Sequence, residues 1–259
     1  MEQGVEMEPS ASRPRRLDSQ LQLAALRARV LETPREDVMV GRFRLLERIG
    51  AGGMGVVYAA RDDALHRRIA LKLIHDELAD DPRARARVLS EARALARLSH
   101  PNVVQLHEIG EHRSRLFIAM EYINGPTLRE WATQRARSVR EIIDVYIQAG
   151  TGLAAAHAAG IVHRDFKCDN VMIGADDRVR VLDFGLVSAL RAGPGDGDGP
   201  ARPGERDDAR TRDPLLTSDA TAPGFAGTPA YMAAGQFAGS TVDARTDQFG
   251  FCVALHEAL

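Results

Sequence analysis

The sequence predicts an α+β protein in two parts: a small part built mainly from strands, then a larger, mostly helical part. Short apolar runs that contain β-branched residues recur within residues 43–122. Longer runs with helical apolar spacing follow from residue 128. The chain has 259 residues, 44% of them hydrophobic, which is enough for one large domain or two small ones with a real core.

The first part predicts a small antiparallel sheet. Strands are expected at residues 43–50, 56–62 and 67–74, with a glycine-rich turn between the first two. A helix is expected over residues 82–98, because Pro82 follows Asp81 and suits the first helical turn. Two more strands, 103–112 and 115–122, complete the sheet.

The second part predicts helices over residues 128–137 and 139–160 and short strands at 171–174 and 179–185. Residues 190–224 are rich in Gly, Pro and Asp, which predicts a disordered or regulatory loop. Residues 1–41 form an N-terminal tail with a short, solvated or loosely docked helix. This helix is predicted by the heptad-like spacing of Leu17, Leu21, Ala24, Ala28 and Leu31.

The composition excludes several classes of protein. A net charge of −2 gives no indication of a nucleic-acid partner. The chain contains no apolar run of about 18 residues that could span a membrane, and its N-terminus lacks the apolar core of a signal peptide. Cys168 and Cys252 are too far apart in sequence for a disulfide framework or a metal site, which favours a cytoplasmic location.

The turn between the first two strands contains Gly50, Gly52, Gly53 and Gly55. Glycines let backbone N–H groups approach a phosphate closely. A plain tight hairpin explains the same residues equally well. The helix and distant acid of a dinucleotide-binding unit are missing, as is the GK[ST] of a P-loop.

Lysine is rare in this chain. Among 34 basic residues only Lys72 and Lys167 are lysine, a bias that a GC-rich genome explains. Lysine is a compact point charge, whereas arginine is a planar fork, so these positions mark sites where the fork does not fit. Lys72 lies in an apolar strand and needs a carboxylate partner, for which Glu91 of the following helix is predicted.

Residues 160–174 place many ionisable groups between two apolar runs, and Asp183-Phe184-Gly185 follows. Buried charges need partners. With the glycine turn and the strand lysine, these motifs resemble the eukaryotic-like serine/threonine protein kinase family, particularly its bacterial members. The resemblance runs from about Phe43 to the last residue.

The resemblance implies a protein-kinase-like two-lobed fold over residues 42–259. The small lobe would span about 42–122 and an incomplete large lobe about 123–259. It also implies that Asp165 accepts the proton of the substrate hydroxyl and that Lys167 neutralises the transferring phosphoryl group. Asn170 and Asp183 would hold Mg²⁺, and ATP would be the phosphate donor. His163 is expected to be a packing residue beside Phe184.

The same resemblance implies an ATP site between the lobes. Backbone groups of the segment at Met120 would bond adenine, with apolar side chains above and below the ring. The residues expected to line or support the site are Ile49, Gly50, Ala51, Gly52, Gly53, Met54, Gly55, Val57, Ala70, Lys72, Glu91, Glu121, Ile123 and Met172.

Lys167 and Thr228 match the Ser/Thr pattern rather than the tyrosine-specific one, so the expected partners are protein substrates carrying Ser or Thr. Self-phosphorylation at Thr217, Ser218 or Thr221 is expected, with Arg164 receiving the phosphate. A role in signalling is expected from the same resemblance.

Three features depart from the family pattern. Cys168 replaces the usual proline, for which a filler role is expected, and Gly235 replaces a glutamate that normally anchors the substrate-binding segment. Residues 247–259 are expected to form a helix that is apolar nearly all round, a pattern typical of a helix buried on all sides. By resemblance, Asp247 would hold the backbone of the catalytic loop, residues 163–170. The later helices that would bury this helix in the family are missing from the sequence. The expectation is therefore either a C-terminally truncated fragment or a degenerate product. An active kinase is favoured, and a catalytically impaired relic that binds nucleotide or acts as a scaffold is the alternative.

Overall fold

The computed structural model describes residues 17–31, 37–52, 55–75, 82–184, 229–237 and 242–259. The helices are α1 (Leu17–Leu31), α2 (Pro82–Arg97), α3 (Leu128–Gln134), α4 (Val139–Ala158), α5 (Ala234–Phe237) and α6 (Ala244–Ala258). The strands are β1 (Met39–Val40), β2 (Phe43–Gly52), β3 (Gly55–Asp62), β4 (Arg67–Ile74), β5 (Leu106–His112), β6 (Arg115–Glu121), β7 (Val171–Ile173) and β8 (Val179–Val181).

The small lobe is the antiparallel sheet that the sequence predicts. Within the described ranges its strand order is β1-β2-β3-β4-β6-β5. The β4–β6 register pairs Ala70 with Met120 and Lys72 with Ile118, so the strand lysine lies in the middle of the sheet. Helix α2 packs on one side of this sheet through Val88, which shares a buried apolar cluster with Ile118.

Helix α1 covers other apolar residues of the same sheet. Leu21 and Ala24 are buried, and Leu21 belongs to an apolar cluster with Phe43, Tyr58 and Phe117. The sequence favoured a solvated or loosely docked helix, but this contact face is buried. The apolar spacing that predicted the helix also supplies the face that packs, because side chains three or four positions apart lie on the same side of a helix.

Two strands are shorter than the sequence predicts by three residues or more. Strand β5 begins at Leu106 because the residues before it bond the large lobe instead of extending the sheet. The Val104 N–H donates to the carbonyl of Val181, and the Val181 N–H donates to the carbonyl of Asn102. Strand β8 ends at Val181 because Asp183 adopts a left-handed conformation, with φ of +55°, that a strand cannot continue.

The large lobe is built around α4 and α6. Tyr146 and Phe251 meet edge to face at 5.5 Å, and the Tyr146 hydroxyl donates to the carbonyl of Ala254 at 2.6 Å. Helices α3 and α4 each begin with a capping box, formed by Thr127 with Glu130 and by Ser138 with Glu141. These local bonds fix where both helices begin.

The surface of α6 is only partly covered by described residues. Asp247, Gly250 and Ala254 are buried, whereas Phe249 is 44% exposed and Leu259 is 64% exposed. An apolar groove of about 470 Å³ lies between α4 and α6; its lining includes Ile143, Ile147, Ala154, Phe251 and Leu255. None of the helices in the described ranges is both long and apolar enough to cross a membrane.

Candidate active site

The glycine turn joins β2 to β3, and its two strands pair as far as Gly52 with Gly55. A Cβ atom on Gly55 would collide with the backbone carbonyl of Leu73, so this glycine permits close packing of β3 on β4. Among the described residues, no atom beyond its chain neighbours lies within 4 Å of a Cβ built on Gly52. Packing therefore explains Gly55 but not Gly52.

Lys72 lies on β4 with a side chain only 4% exposed. Its Nζ lies 2.7 Å from Oδ1 of Asp183. Burial opposes the charged form of Asp183, but the ammonium group of Lys72 outweighs this effect, and the pKa of the Asp183 carboxyl lies below its ordinary value. The pair therefore links strand β4 of the small lobe to the segment after β8 in the large lobe.

Glu91 on α2 does not pair with Lys72. Its Oε1 accepts a hydrogen bond of 2.8 Å from Arg164, and its buried Oε2 has no hydrogen-bond partner in the part of the chain that the structure describes. Burial raises the pKa of the Glu91 carboxyl, although Arg164 opposes the shift. The predicted Lys72–Glu91 pair is therefore wrong for this conformation, because Lys72 pairs with Asp183 and Glu91 pairs with Arg164.

The catalytic loop brings Asp165, Lys167 and Asn170 together. Lys167 Nζ lies 3.3 Å from Oδ2 of Asp165. The amide nitrogen of Asn170 donates to the backbone carbonyl of Asp165 at 2.8 Å and reaches its carboxylate at 3.3 Å. The side chains of Asp165 and Lys167 are 13% and 21% exposed. The loop therefore places a carboxylate and an amino group next to each other, and both side chains are partly accessible.

The backbone beside Asp183 is bonded directly to this loop. The Leu182 N–H donates to the carbonyl of Asn170 at 2.8 Å, and Nε2 of His163 lies 2.6 Å from the Leu182 carbonyl. His163 is fully buried, burial lowers its pKa, and its ring lies 4.8 Å from that of Phe184. The expectation that His163 is a packing residue is confirmed.

Asp247 at the start of α6 holds the other side of the loop. Its carboxylate accepts hydrogen bonds from the backbone N–H groups of His163 at 2.7 Å and Arg164 at 2.6 Å. Nε2 of His157 lies 2.7 Å from the same carboxylate, which is 1% exposed. The expected grip of Asp247 on the catalytic-loop backbone is therefore present.

We expect Asp247→Asn to destabilise the fold, because an amide has one acceptor oxygen for two backbone donors and turns an N–H group toward another donor. The expected loss is about 2–4 kcal/mol, or roughly 5–15 °C in Tm. The measurement is thermal unfolding of both proteins. The control is Asp144→Asn on the exposed side of α4, and equal Tm values for the two variants would contradict the assigned role of Asp247.

The expected adenine site is assembled from both lobes. Ala70 and Ile123 are buried in one apolar cluster, against which Val57 and Met172 pack. Nε of Arg180 lies 2.8 Å from Oε1 of Glu121. This ion pair was not predicted, because the two residues are far apart in the sequence. Of the remaining predicted lining residues, Ile49 is exposed, and Gly50 and Ala51 lie in β2.

Some predicted site residues lie outside the described ranges. They remain predictions, and they are Gly53, Met54, Thr217, Ser218, Thr221 and Thr228.

A polar network near the catalytic loop was not predicted. Arg129 forms a bidentate pair with Asp169 at 2.8 and 2.9 Å and also donates to the Tyr231 hydroxyl at 3.2 Å. That hydroxyl donates to Glu257 on α6. These residues come from four separate segments, and no local pattern could have joined them. The network ties residues 229–231 to the large lobe in a chain where Gly235 lacks the usual anchoring carboxylate.

Cys168 behaves as a buried filler. Its sulfur lies 3.5 Å from the Tyr146 hydroxyl, and burial raises the pKa of the thiol. A thiol held in its neutral form is a poor nucleophile, so this position supplies packing rather than chemistry.

Comparison with known proteins decides the family. The family model of the protein kinase domain matches residues 43–259. The chain belongs to the protein kinase family. The serine/threonine-protein kinase PknE of Mycobacterium tuberculosis is 35% identical over 226 residues, which cover 87% of this chain and 36% of PknE. PknA of the same species is 38% identical over 169 residues, covering 62% of this chain and 39% of PknA.

Solved structures agree with this assignment. The crystal structure of the Mycobacterium tuberculosis PknI kinase domain has a TM-score of 0.62 and 25% identity, covering 86% of this chain and 76% of that chain. The predicted two-lobed kinase fold is therefore confirmed. This kinase spans less than half the length of the curated relatives it matches.

Proposed function

We propose that this kinase transfers the γ-phosphate of Mg-ATP to serine and threonine hydroxyls of proteins. The observation that carries the proposal is the assembly of Asp165, Lys167 and Asn170 in one loop whose backbone is bonded to Leu182, beside Asp183 and Lys72. The names of the related serine/threonine kinases support the same chemistry.

Asp165 is suited to accept the proton of an attacking hydroxyl. Its carboxylate is near Lys167 and Asn170, which fix its direction. Lys167 can then neutralise charge that develops on the transferring phosphoryl group. Positioning and electrostatics carry most of the rate in such transfers, because the protein forms no covalent bond with the phosphate.

The residues present fit Mg²⁺ bound through a nucleotide. In the described ranges no cluster of three or more His, Cys, Asp or Glu could hold a metal by itself. Magnesium in phosphoryl-transfer enzymes is held through one or two protein ligands together with substrate phosphates. Asp183 and the side-chain oxygen of Asn170 would be those ligands. When bound, the ion would neutralise negative charge on the phosphates of the nucleotide.

Two observed ion pairs would change if Mg-ATP binds as proposed. Asp183 is engaged by Lys72, and Glu91 by Arg164. If Asp183 holds the metal, Lys72 is released from this pair and could contact both a phosphate and Glu91. A phosphate on the proposed sites Thr217, Ser218 or Thr221 would compete for Arg164 and release Glu91.

The expectations of a cytoplasmic location and of a signalling role stay predictions.

The acceptor class can be tested with three peptides that differ only in carrying Ser, Thr or Tyr at one position. We expect incorporation of γ-phosphate into the first two, because a lysine two residues after the catalytic aspartate matches the Ser/Thr pattern. Chelation of Mg²⁺ with EDTA is expected to abolish transfer. Equal labelling of the Tyr peptide would contradict the proposed specificity, and ATP binding with no transfer at all would favour the nucleotide-binding scaffold.

A further inference from the structure

The peptide unit between Arg164 and Asp165 is held in an unusual way. Arg164 has a φ of +67°, in the left-handed region that non-glycine residues rarely adopt. Such a conformation is strained and persists only where surrounding contacts enforce it. The Arg164 N–H donates to Asp247, and the Asp165 N–H donates to Nδ1 of His163 at 3.3 Å.

The carbonyl of the same peptide unit is bonded by Gln236. Nε2 of Gln236 donates to the Arg164 carbonyl oxygen at 3.0 Å. Its Oε1 accepts from the backbone N–H of Ala233, also at 3.0 Å. The second bond is half of a capping box for α5, and it leaves the amide nitrogen pointing at the catalytic loop.

We infer that Gln236 is a positioning residue for phosphoryl transfer, because its amide clamps the Arg164–Asp165 peptide and thereby sets the direction of the Asp165 carboxylate. The inference rests on the proposed kinase function. A peptide plane held only at its N–H can rotate about the bonds on either side. Gln236 fixes the carbonyl end of that plane, and the backbone of Asp165 leads directly from it.

The position of Gln236 also gives the clamp a functional consequence. Gln236 lies in the segment 229–237, which is tied to the large lobe through the Tyr231 hydroxyl and Glu257. Docking of this segment and orientation of Asp165 are therefore linked through one side chain. In this chain, where Gly235 replaces the usual glutamate, the neighbouring amide supplies a bond between the segment and the catalytic loop.

Two substitutions separate the clamp from the helix cap. Gln236→Glu keeps an oxygen that accepts from Ala233, because glutamate suits this capping position, but it loses the donor and opposes a carboxylate to the Arg164 carbonyl. Gln236→Ala loses both bonds. If the clamp orients Asp165, kcat should fall about 10- to 100-fold in both variants. The KM for ATP should change by less than about 2-fold, because the ATP-binding residues are untouched.

The matched control is Gln134→Glu, at an exposed glutamine that ends α3. Tm and hydrogen exchange are measured on every variant of the 259-residue chain. We expect Gln236→Glu to keep its Tm within about 2 °C while exchange of the peptide spanning residues 163–170 becomes faster. Wild-type kcat in Gln236→Glu would overturn the inference, because capping alone would then explain Gln236.

Failure of the inference and failure of the proposed function are distinguishable. A wild-type chain that transfers phosphate, with Gln236→Glu equally active, refutes only the clamp. A wild-type chain that transfers none refutes the proposed function. Hydrogen exchange still tests the clamp in that case, and unchanged exchange at residues 163–170 in Gln236→Glu would overturn it. If Gln236→Glu melts well below the control, Gln236→Ala and the ratio of kcat to KM decide the question at a temperature where both are folded.

Discussion

Replacing Lys72 with arginine is expected to reduce γ-phosphate transfer by about 100-fold or more. The side chain is 4% exposed and its single Nζ lies 2.7 Å from Asp183, in the middle of the small-lobe sheet. A guanidinium group is wider than an ammonium group and distributes its donors over a fork, so it cannot occupy this space without moving the sheet or the carboxylate. Positively charged positions elsewhere in the chain, apart from Lys167, are arginine, which makes this position a sharp test.

The measurement compares initial rates of transfer and Tm for wild type and Lys72→Arg. Arg113→Lys, the reverse exchange at an exposed turn, is the matched control and should leave both quantities unchanged. We expect Lys72→Arg to lose activity while remaining folded, because the charge is conserved. Near-normal turnover of Lys72→Arg would contradict the requirement for a compact charge.

The sequence predicted those parts of the site that lie close together along the chain. Asp165, Lys167 and Asn170 fall within six positions, and a single short loop brings them together whatever the rest of the fold does. The strands of the small lobe were predicted for a similar reason, since alternation and turn residues are local signals. Asp247 was placed correctly by resemblance, although it acts more than eighty residues from its partners.

The choice of ion-pair partner could not be predicted in the same way. Lys72 has two carboxylates to choose from, Glu91 and Asp183, and both are consistent with its burial and charge. The choice depends on how α2 lies against the catalytic loop, where Arg164 competes for Glu91. The outcome of this competition depends on the distances between the charged groups in the folded protein. The residue pattern contains no information about those distances. The bond from Gln236 to Arg164 was missed for the same reason.

Asp165→Asn is expected to have an effect at least as large as that of Lys72→Arg. The substitution conserves size and leaves an oxygen for the Asn170 amide, so the loop should keep its shape. It removes the group proposed to accept the proton of the substrate hydroxyl, together with the carboxylate beside Lys167. General-base catalysis contributes about 10²–10⁴-fold to rate. We therefore expect transfer to fall by at least 100-fold with little change in Tm.

The most direct test of the proposed kinase function is the rate of γ-phosphate transfer from Mg-ATP to a generic basic protein, measured for wild type and Asp165→Asn. Asp177→Asn is the matched control, because Asp177 is exposed in a turn at a positive φ that asparagine tolerates. We predict transfer by wild type and Asp177→Asn and almost none by Asp165→Asn. Equal rates for wild type and Asp165→Asn, or no transfer by a folded wild type that binds Mg-ATP, would contradict the proposal.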